Sequence, residues 1–454
     1  MNKQKNNRII SVISMGCRVN QLETELLRHG GGERGFRVAQ VGEESELIIV
    51  NTCSVTNESD RAARQLIRRA GRENPQAKIV VTGCYAQQTP EILAALPQVA
   101  LVLGNQEKSA LWQHVDAILT DPPQSDPGMD EVCNASVIVG DISTFTTVPD
   151  RPIVDTFADR SRAYLQLQDG CDRACTYCLI PGVRGPSRSL HPDQILAQAQ
   201  RFVLAGFQEL VLTGIDLGSF GRDLSPAVSL ADMIEQLVQI PHLGRIRLSS
   251  IDPADIDEEL LSLLAREKKI CSYLHLSIQS GDSMILKRMG RRTDQVRLLE
   301  QIRQIKTSRP EIVLGADLIV GFPTESEEAF ENSLRLVNEA PLVFLHIFRY
   351  SDRPGTPAAQ IPQRFRVEGN TAKNRSERLR QAGVDNLRLL AEDWLGRQEG
   401  VLIESVEAGL ASGKISSFLS VNFNTIDGDE VGQIIPVRLT AFDPSSGQFT
   451  GLRL

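Results

Sequence analysis

The 454-residue sequence predicts an α/β protein with three parts: a small parallel α/β domain, a partial (β/α)6 barrel and a small β-barrel. Apolar runs of strand length alternate with helical stretches, first near the start of the chain and then six times at intervals of roughly 30 to 45 residues. The last part contains short strands alone. The predicted boundaries are 6–118 for the first domain, 119–156 for a connector, 157–388 for the barrel and 389–454 for the final domain.

Three predicted strands of the first domain each lead into a cysteine. The carboxyl ends of parallel strands lie at one edge of a sheet, where open α/β sheets bind ligands. A buried cysteine is also commonly just a small hydrophobic residue, but its repetition directly after a strand favours a metal cluster. The strands are predicted at 8–14, 47–51 and 78–82, and the cysteines are Cys17, Cys53 and Cys84.

A run of glycines follows the first cysteine. Gly30, Gly31 and Gly32 interrupt a stretch in which a helix is predicted. Each glycine costs about 1 kcal/mol of helix stability relative to alanine. We therefore expect this helix to be shortened or locally rebuilt.

The connector and the barrel come next. Residues 122–152 are rich in Asp, Pro, Ser and Gly around Cys133, which we interpret as structural, with one short strand predicted at 135–139. A parallel barrel has its active site at the carboxyl ends of its strands. The barrel strands are predicted at 164–168, 209–213, 245–250, 273–279, 312–320 and 342–350.

The final domain is acidic. Its strands are predicted at 401–404, 417–423, 432–442 and 449–452. Residues 397–454 carry four basic side chains against seven acidic ones, a net charge of −3. This balance argues against strong phosphate binding there.

Composition narrows the class of protein. With a formal net charge of −8, any nucleic-acid contact depends on local basic patches. No run approaches the roughly 18 apolar residues of a membrane helix, and no secretion signal is visible, so we expect a cytoplasmic protein. No Ser/His/Asp arrangement or G-x4-G-K-[ST] loop is legible, and the six histidines are interpreted as ordinary surface or core residues.

Of the eight cysteines, three form a C-x3-C-x2-C triplet at the end of the first barrel strand. Cys171, Cys175 and Cys178 could hold three corners of a four-iron, four-sulfur cube and leave one iron free to chelate a small molecule. Structural zinc would need a fourth ligand, from Cys271 or a histidine, and no second C-x2-C or H-x3-H motif lies nearby. The spacing therefore favours an iron–sulfur cluster over zinc.

The triplet and its position resemble the radical S-adenosylmethionine superfamily over about residues 163–390. The resemblance implies that the open iron binds the amino and carboxylate groups of that cofactor. It also implies that an electron from the cluster cleaves the sulfonium bond, giving methionine and a 5′-deoxyadenosyl radical that abstracts hydrogen from the substrate.

The same resemblance implies which residues contact the cofactor. Tyr177 matches an aromatic position close to the adenine. Thr213 and Gly214 end the second strand where the methionine amino group is met, although the commoner Gly-Glu ending is missing, and an ordinary turn explains them equally well. Ser277, Gln279 and Asp317 end the fourth and fifth strands, where family members contact ribose and adenine.

All six clustered cysteines and the small final domain together resemble the radical S-adenosylmethionine methylthiotransferases over nearly the whole chain, with a TRAM-like β domain at the end. By this resemblance Cys17, Cys53 and Cys84 hold an auxiliary [4Fe-4S] cluster that carries the transferred sulfur. Two S-adenosylmethionine molecules are then consumed, one for the methyl group and one for the radical. The implied partners are tRNA and an electron donor such as flavodoxin or ferredoxin.

Segments 20–25, 51–57 and 82–87 look most like the family members that act on N6-threonylcarbamoyladenosine. The implied reaction adds a methylthio group to C2 of that base at position 37 of tRNA, next to the anticodon. One alternative is a related enzyme acting on a ribosomal-protein aspartate or on isopentenyladenosine in tRNA. A second is a non-catalytic RNA-binding protein whose iron–sulfur clusters only stabilise the fold.

Two sets of basic residues are candidates for RNA contact. The first recurs at helical spacing after Cys53 and predicts one basic helix face: Arg61, Arg64, Arg68 and Arg72. The second is interpreted mainly as solvated helix surface: Arg364, Arg366, Lys373, Arg375, Arg378 and Arg380.

Overall fold

The computed structural model describes residues 8–40, 43–120, 135–149, 151–157 and 160–454. Cys133 lies outside the described residues. The chain forms two compact units. The first comprises the described residues of Met1–Thr156 with Asp169–Arg173 and Cys178–Arg188, and the second those of Phe157–Gln168, Ala174–Tyr177 and Ser189–Leu454. The division into the four ranges 6–118, 119–156, 157–388 and 389–454 remains a prediction.

The first unit contains a parallel six-stranded sheet in the order β2-β1-β3-β4-β5-β6. Its central strand has the sequence LIIVNT and is buried at every position, as expected for a parallel strand covered on both faces. The three strands predicted before the cysteines and the short connector strand are confirmed. The strands are β1 Ile9–Ser14, β2 Arg37–Val38, β3 Leu47–Thr52, β4 Lys78–Gly83, β5 Val99–Leu103 and β6 Ser136–Ile138.

Six helices accompany this sheet. The second begins at a capping box, in which the Thr56 side chain accepts from the Ser59 backbone N–H and the Ser59 hydroxyl accepts from the Thr56 N–H. The helices are α1 Arg18–Glu33, α2 Asn57–Glu73, α3 Cys84–Gln88, α4 Pro90–Ala94, α5 Leu111–Thr120 and α6 Ile180–Arg184.

The expected break at the glycine run is wrong, because α1 passes through it without interruption. Trp112 of α5 packs directly against the glycines. A Cβ on Gly30 would lie 2.5 Å from Trp112 Nε1, and one on Gly31 would lie 2.6 Å from Ile10 Cδ1. The glycines thus permit close packing, and the buried surface offsets their low helix propensity.

The second unit contains the predicted partial barrel, built from two parallel sheets in the orders β11-β10-β7 and β12-β13-β14-β15. The prediction of a parallel barrel is confirmed, and each predicted strand overlaps an observed one. A separate two-stranded pair is formed by β8 and β9. The strands are β7 Ala163–Gln166, β8 Gln168–Asp169, β9 Arg188–Ser189, β10 Glu209–Thr213, β11 Arg245–Leu248, β12 Ser250–Ile251, β13 Tyr273–Gln279, β14 Val313–Val320 and β15 Phe344–Arg349.

Helices follow the barrel strands. Leu345 of β15 packs against Gly383 in the last of them, so the neighbouring residues of β15 project to the opposite, inner face. The helices are α7 Pro192–Leu204, α8 Leu230–Val238, α9 Glu258–Arg266, α10 Ser283–Arg288, α11 Gln295–Ser308, α12 Glu327–Glu339 and α13 Gly369–Trp394. None of the described helices is long and apolar enough to cross a membrane.

The chain ends in a closed barrel of five strands in the order β16-β17-β18-β20-β19. The predicted β-barrel is confirmed, although β17 was not predicted. Its short sequence LASGK contains Gly413, where an added Cβ would collide with the Leu402 carbonyl of the paired strand. The strands are β16 Gln398–Glu407, β17 Leu410–Lys414, β18 Ser420–Asn424, β19 Ile434–Asp443 and β20 Gln448–Arg453.

A buried ion-pair cluster joins this barrel to the larger one within the second unit. Glu209 is completely buried and pairs with Arg162, Arg245 and Arg247. Arg245 also donates to the Gly400 carbonyl at 2.9 Å. Burial favours the neutral acid, but the three guanidinium groups outweigh it and hold the pKa of Glu209 below its ordinary value.

Candidate active site

The structure places Cys17, Cys53 and Cys84 at the carboxyl ends of β1, β3 and β4, three adjacent parallel strands. Gly16 has a φ of +87°, and an added Cβ there would lie 2.5 Å from Cys53 Sγ. A glycine is therefore required for the chain before Cys17 to pass so close to Cys53. The predicted gathering of these cysteines at one sheet edge is present in the structure.

The three thiols influence one another. Burial, followed by the nearby thiolates of Cys84 and Cys17, raises the pKa of Cys53 to about 12. Desolvation by the surrounding protein also raises the pKa of Cys17, although its side chain is exposed and Arg184 opposes the effect. Ligation would have to displace these protons, since metals bind cysteine as the thiolate.

The cysteine arrangement fits a cluster better than a single ion. Among the described residues, one set of three metal-ligating side chains brings its donor atoms within 4.8 Å of one another, and it contains no cysteine. A mononuclear zinc site needs its ligands gathered around one ion, whereas a four-iron cube holds its cysteines at separate corners. The residues around Cys17, Cys53 and Cys84 therefore fit an iron–sulfur cluster with one open iron.

Arg184 contacts the third of these cysteines. It is the last residue of α6, only 1% exposed, and its Nε lies 3.3 Å from Cys84 Sγ. Its Nη1 donates to Glu23 Oε1 at 2.6 Å, and its Nη2 donates to Asn20 Oδ1. Because α6 follows the cysteine triplet along the chain, this guanidinium connects that segment to the first cysteine set.

A second cation completes this buried network. Lys108 Nζ lies 2.5 Å from Glu23 Oε2, and both side chains are buried. Burial favours the neutral form of Glu23, but Arg184 and Lys108 outweigh it and keep its pKa well below the ordinary value. Glu23 therefore remains a carboxylate and holds Arg184 in place beside Cys84.

Hydrogen bonds order the triplet loop in the first unit. The Cys171 N–H donates to the Gly185 carbonyl at 3.0 Å. Backbone N–H groups also point at sulfur, from Arg173 to Cys171 Sγ at 3.5 Å and from Ile180 to Cys178 Sγ at 3.4 Å. Such donors stabilise thiolates, so both cysteines are prepared for ligation.

Cys175 belongs to the second unit, where Arg291 Nη1 lies 3.9 Å from its Sγ. Arg291 in turn pairs with Asp252 at 2.8 Å. The next residue, Thr176, donates its N–H to the Met289 carbonyl at 3.0 Å. Cys175 is thus held by its neighbour's backbone and by a fixed positive charge.

The residues expected to contact S-adenosylmethionine lie mostly at strand ends of the second unit, and their role remains a prediction. Tyr177 packs against an apolar cluster that includes Met289. Thr213 is the last residue of β10, and a Cβ on Gly214 would lie 3.0 Å from Gln168 Oε1. Ser277 and Gln279 lie on β13, where Gln279 has a φ of +72° at a break in the strand register, and Asp317 lies on β14.

Sequence reasoning missed several polar residues of these sites. Arg184 and Glu23 are 161 residues apart, so no local motif announces their contact. The histidines were interpreted as ordinary, yet His275 and His346 both bond Asp317 Oδ1 at 3.0 Å. Each histidine lies on a predicted parallel strand and shares a sheet face with the residues two positions away. This pattern brings the two histidines together only when the order of the strands in the sheet is known.

The two basic sets differ in the structure. On α2, Arg61, Arg68 and Arg72 are exposed, whereas Arg64 donates to the Tyr85 hydroxyl. Members of the second set are largely paired with acidic residues, but the interpretation as solvated helix surface is wrong for Arg375, which is buried, and for Arg364 and Arg366, which precede α13. The pairs include Arg366–Asp352, Lys373–Glu377, Arg375–Glu325 and Arg378–Glu331.

Comparison with known proteins shows two family matches. Residues 9–104 match the uncharacterized protein family UPF0004, and residues 165–337 match the Radical SAM superfamily. Among solved structures, the radical S-adenosylmethionine methyltransferase TsrM from Kitasatospora setae is similar with a TM-score of 0.55 at 14% identity, over 97% of this chain and 84% of that one. This likeness shows the fold alone.

Curated relatives are similar over most of their length. A threonylcarbamoyladenosine tRNA methylthiotransferase MtaB from Rickettsia prowazekii is 40% identical, over 88% of this chain and 89% of the relative. The protein of the same name from Bacillus subtilis is 33% identical over 96% and 95%. A tRNA-2-methylthio-N(6)-dimethylallyladenosine synthase from Erythrobacter litoralis is 32% identical over 96% and 95%.

Proposed function

The chain belongs to the radical S-adenosylmethionine methylthiotransferase family, and we propose that its substrate is N6-threonylcarbamoyladenosine at position 37 of tRNA, which receives a methylthio group at C2. The observation that carries the methylthiotransferase reaction is the gathering of Cys17, Cys53 and Cys84 at one sheet edge, in a chain that also has the C-x3-C-x2-C triplet. The choice of substrate is supported by the relatives. Relatives named for this substrate are 32% to 40% identical, and relatives named for dimethylallyladenosine are 31% to 32% identical.

The enzyme uses S-adenosylmethionine and iron–sulfur clusters. We propose that Cys171, Cys175 and Cys178 hold the cluster that serves the cofactor, and that Cys17, Cys53 and Cys84 hold the auxiliary one. When bound, these groups supply one-electron reduction of a sulfonium and a sulfur atom for the product.

Side chains and backbone groups of the protein position these cysteine ligands and donate to their sulfur atoms. Arg184 places a permanent positive charge 3.3 Å from Cys84 Sγ, where it can balance the charge of a ligating sulfur. The backbone N–H groups of Arg173 and Ile180 donate to the sulfur atoms of Cys171 and Cys178. Cys53 and Cys84 are buried at that edge of the sheet, whereas Cys17 is exposed.

The partners follow from the reaction. A tRNA substrate would meet the exposed arginines of α2, which adjoins Cys53 along the chain. The electron would come from a small reduced carrier such as flavodoxin or ferredoxin. The acidic final barrel is not assigned a phosphate-binding role, since its net charge of −3 opposes one.

The test is mass spectrometry of tRNA nucleosides from cells with and without this gene. We expect the 2-methylthio derivative of threonylcarbamoyladenosine to depend on the gene and to return when it is restored, but not when Cys53→Ala is supplied. Gene dependence of 2-methylthio-dimethylallyladenosine instead would reassign the substrate. Unchanged tRNA would overturn the proposal and direct attention to ribosomal protein.

A further inference from the structure

The inner face of β15 presents three aromatic side chains in succession. Phe344 packs in the interior against Tyr273 and Phe418, at ring separations of 5.7 and 5.6 Å. His346 and Phe348 follow on the same face, at alternate positions of the strand. β15 is the terminal strand of its sheet, so this face is accessible from the side.

The His346 side chain is exposed, but a hydrogen bond holds its ring in place. Its side chain is 61% exposed, and its Nδ1 lies 3.0 Å from Asp317 Oδ1. The same oxygen is 3.0 Å from His275 Nε2, and His275 Nδ1 is 2.8 Å from the Tyr273 hydroxyl. Tyr273 is itself stacked on Phe418 at 5.0 Å. The chain of contacts therefore anchors His346 to the buried interior.

This arrangement fixes which atom of His346 is offered to a ligand. A carboxylate can only accept, so Asp317 selects the ring form with the proton on Nδ1. Among the described residues, none bonds Nε2 of His346. That nitrogen is left on the exposed side of the ring, available for a hydrogen bond to a ligand.

Phe348 follows on the same face of β15 and is 39% exposed. Aromatic residues make up only 5% of this sequence. Proteins that act on an RNA base out of its stack commonly hold the base against an aromatic face. An exposed phenylalanine beside a fixed imidazole is suited to hold a base that carries a polar substituent.

We infer that His346 and Phe348 bind the target base, with Phe348 against the adenine ring and His346 bonded to the threonylcarbamoyl substituent on N6. The inference rests on the proposed function and deepens it. The threonylcarbamoyl group carries a hydroxyl and amide N–H groups that can donate to Nε2 of His346, whereas a dimethylallyl group is hydrocarbon. His346 is therefore a specificity-determining residue, and Asp317 acts through it as a positioning residue.

The same side chains could also be considered for a metal ion. His275, Asp317 and His346 are a ligand set found around divalent metals, and their donor atoms lie within 4.8 Å of one another. However, both imidazoles are already at hydrogen-bonding distance from one carboxylate oxygen, which holds the three side chains together without a metal. Metal binding is therefore treated as an outcome that contradicts the inference.

The experiment measures binding of anticodon hairpin RNAs by fluorescence anisotropy to the reconstituted full-length enzyme. Three hairpins differ only in the target base: threonylcarbamoyladenosine, dimethylallyladenosine or adenosine. The variants are His346→Ala and Phe348→Leu. The matched controls are His191→Asn, an exposed histidine that caps α7, and Phe365→Leu, an exposed phenylalanine outside β15.

We expect His346→Ala to weaken binding of the threonylcarbamoyladenosine hairpin by about 2- to 10-fold, the range for one lost neutral hydrogen bond, with little change for the other two. Phe348→Leu should weaken all three hairpins, and both controls should bind as the wild type does. Equal weakening of all hairpins by His346→Ala would overturn the role in specificity. Stoichiometric Zn²⁺ binding that His346→Ala abolishes would reassign the three residues to a metal site.

Different results would contradict the proposed function and the role assigned to His346. If the wild-type enzyme does not methylthiolate the threonylcarbamoyladenosine hairpin, the proposed function is wrong. If the wild-type enzyme does so and His346→Ala keeps the full preference for that hairpin, only the assignment of His346 is wrong.

Discussion

Arg184 Nε lies 3.3 Å from Cys84 Sγ, while the same guanidinium lies 2.6 Å from Glu23. The arginine thus connects a cysteine at the end of β4 to a carboxylate on α1. Since Arg184 is six residues beyond Cys178, its side chain connects the segment after the triplet to Cys84 within the first unit. This contact predicts that assembly of the auxiliary cluster depends on Arg184.

Arg184→Gln should lower the iron content of the purified enzyme from about eight atoms per chain toward four, the number in one [4Fe-4S] cluster. The substitution removes one of the two cations paired with the buried Glu23, and breaking a buried ion pair typically costs about 3–5 kcal/mol. Arg184→Lys should recover part of the iron, because it restores the charge but not the planar set of donors. Iron analysis and electron paramagnetic resonance of the reduced protein are the measurements.

The matched control is Arg61→Gln, a substitution of an exposed arginine on α2. It should leave the iron content unchanged. Full iron occupancy with an unaltered resonance signal in Arg184→Gln would contradict a role for Arg184 at the auxiliary cluster.

The two cysteine sets should have separable roles. Cys175→Ala should abolish reductive cleavage of S-adenosylmethionine, because Cys175 belongs to the set proposed to serve the cofactor. Cys53→Ala should retain cleavage but stop sulfur transfer to tRNA. Chromatography of 5′-deoxyadenosine and mass spectrometry of the RNA measure the two steps. Equal loss of cleavage in both variants would refute this division.

The packing of α1 against Trp112 makes a prediction opposite to helix propensity. Gly→Ala in a helix ordinarily stabilises by about 1 kcal/mol. At Gly30 the added methyl would lie 2.5 Å from Trp112 Nε1, so we expect Gly30→Ala to destabilise the first unit by about 1–3 kcal/mol. The midpoint of thermal unfolding, followed by circular dichroism, measures this change.

Gly32→Ala is the natural control in the same helix. No heavy atom lies within 4 Å of a Cβ at Gly32, so only propensity acts there. We expect this variant to be more stable than the wild type by about 0.5–1 kcal/mol. The same sign of change at Gly30 and Gly32 would show that Trp112 tolerates the methyl group.

The buried ion pairs of Glu209 connect the two barrels of the second unit, and we expect acid to weaken this connection. The Glu209 carboxylate is 0% exposed and lies within 3.3 Å of Arg162, Arg245 and Arg247. Glu209→Gln leaves three arginines without this counter-charge, so we expect a loss of about 3–5 kcal/mol at neutral pH. Urea unfolding followed by circular dichroism, at neutral pH and in acid, is the measurement.

The sign of the pH effect follows from the lowered pKa of Glu209. A carboxyl with a lower pKa in the folded state stabilises the fold above its unfolded pKa of about 4.3, and the stabilisation is lost as the pH falls below that value. The difference between the wild type and Glu209→Gln should therefore shrink in acid. Glu235→Gln removes an exposed pair with Arg266 and should change stability by less than about 1 kcal/mol. A difference for Glu209→Gln that is constant with pH would contradict the mechanism.

The sequence determined the framework of the fold more closely than it determined the site. Buried parallel strands such as β3 are continuous apolar runs, so they were predictable, as was the position of Cys53 directly after one of them. β17 was missed because its five residues include a glycine, which is typical of turns. The continuity of α1 was missed because its cause, Trp112, lies some 80 residues away.

The polar residues of the site were unpredictable for a related reason. Arg184, Glu23 and Lys108 come from three separate segments, and a buried ion pair leaves no periodic pattern in any of them. His275, Asp317 and His346 lie on three strands, and only the strand order β13-β14-β15 brings them together. Spacing therefore predicts ligands that are close in sequence, whereas contacts between distant elements require the structure.

The exposed arginines of α2 make a final prediction about RNA binding. Arg61, Arg68 and Arg72 are exposed, so each is free to approach phosphate. Affinity for RNA falls as the salt concentration rises. Removing one arginine that contacts a phosphate should make the slope of log affinity against log salt less steep by about 1, and it should weaken binding of all three hairpins similarly. Arg68→Gln should therefore reduce affinity without changing the preference for threonylcarbamoyladenosine. Arg378→Gln, which removes a cation already paired with Glu327 and Glu331, should leave the salt slope unchanged. An unchanged slope in Arg68→Gln would place the phosphate contacts elsewhere on the protein.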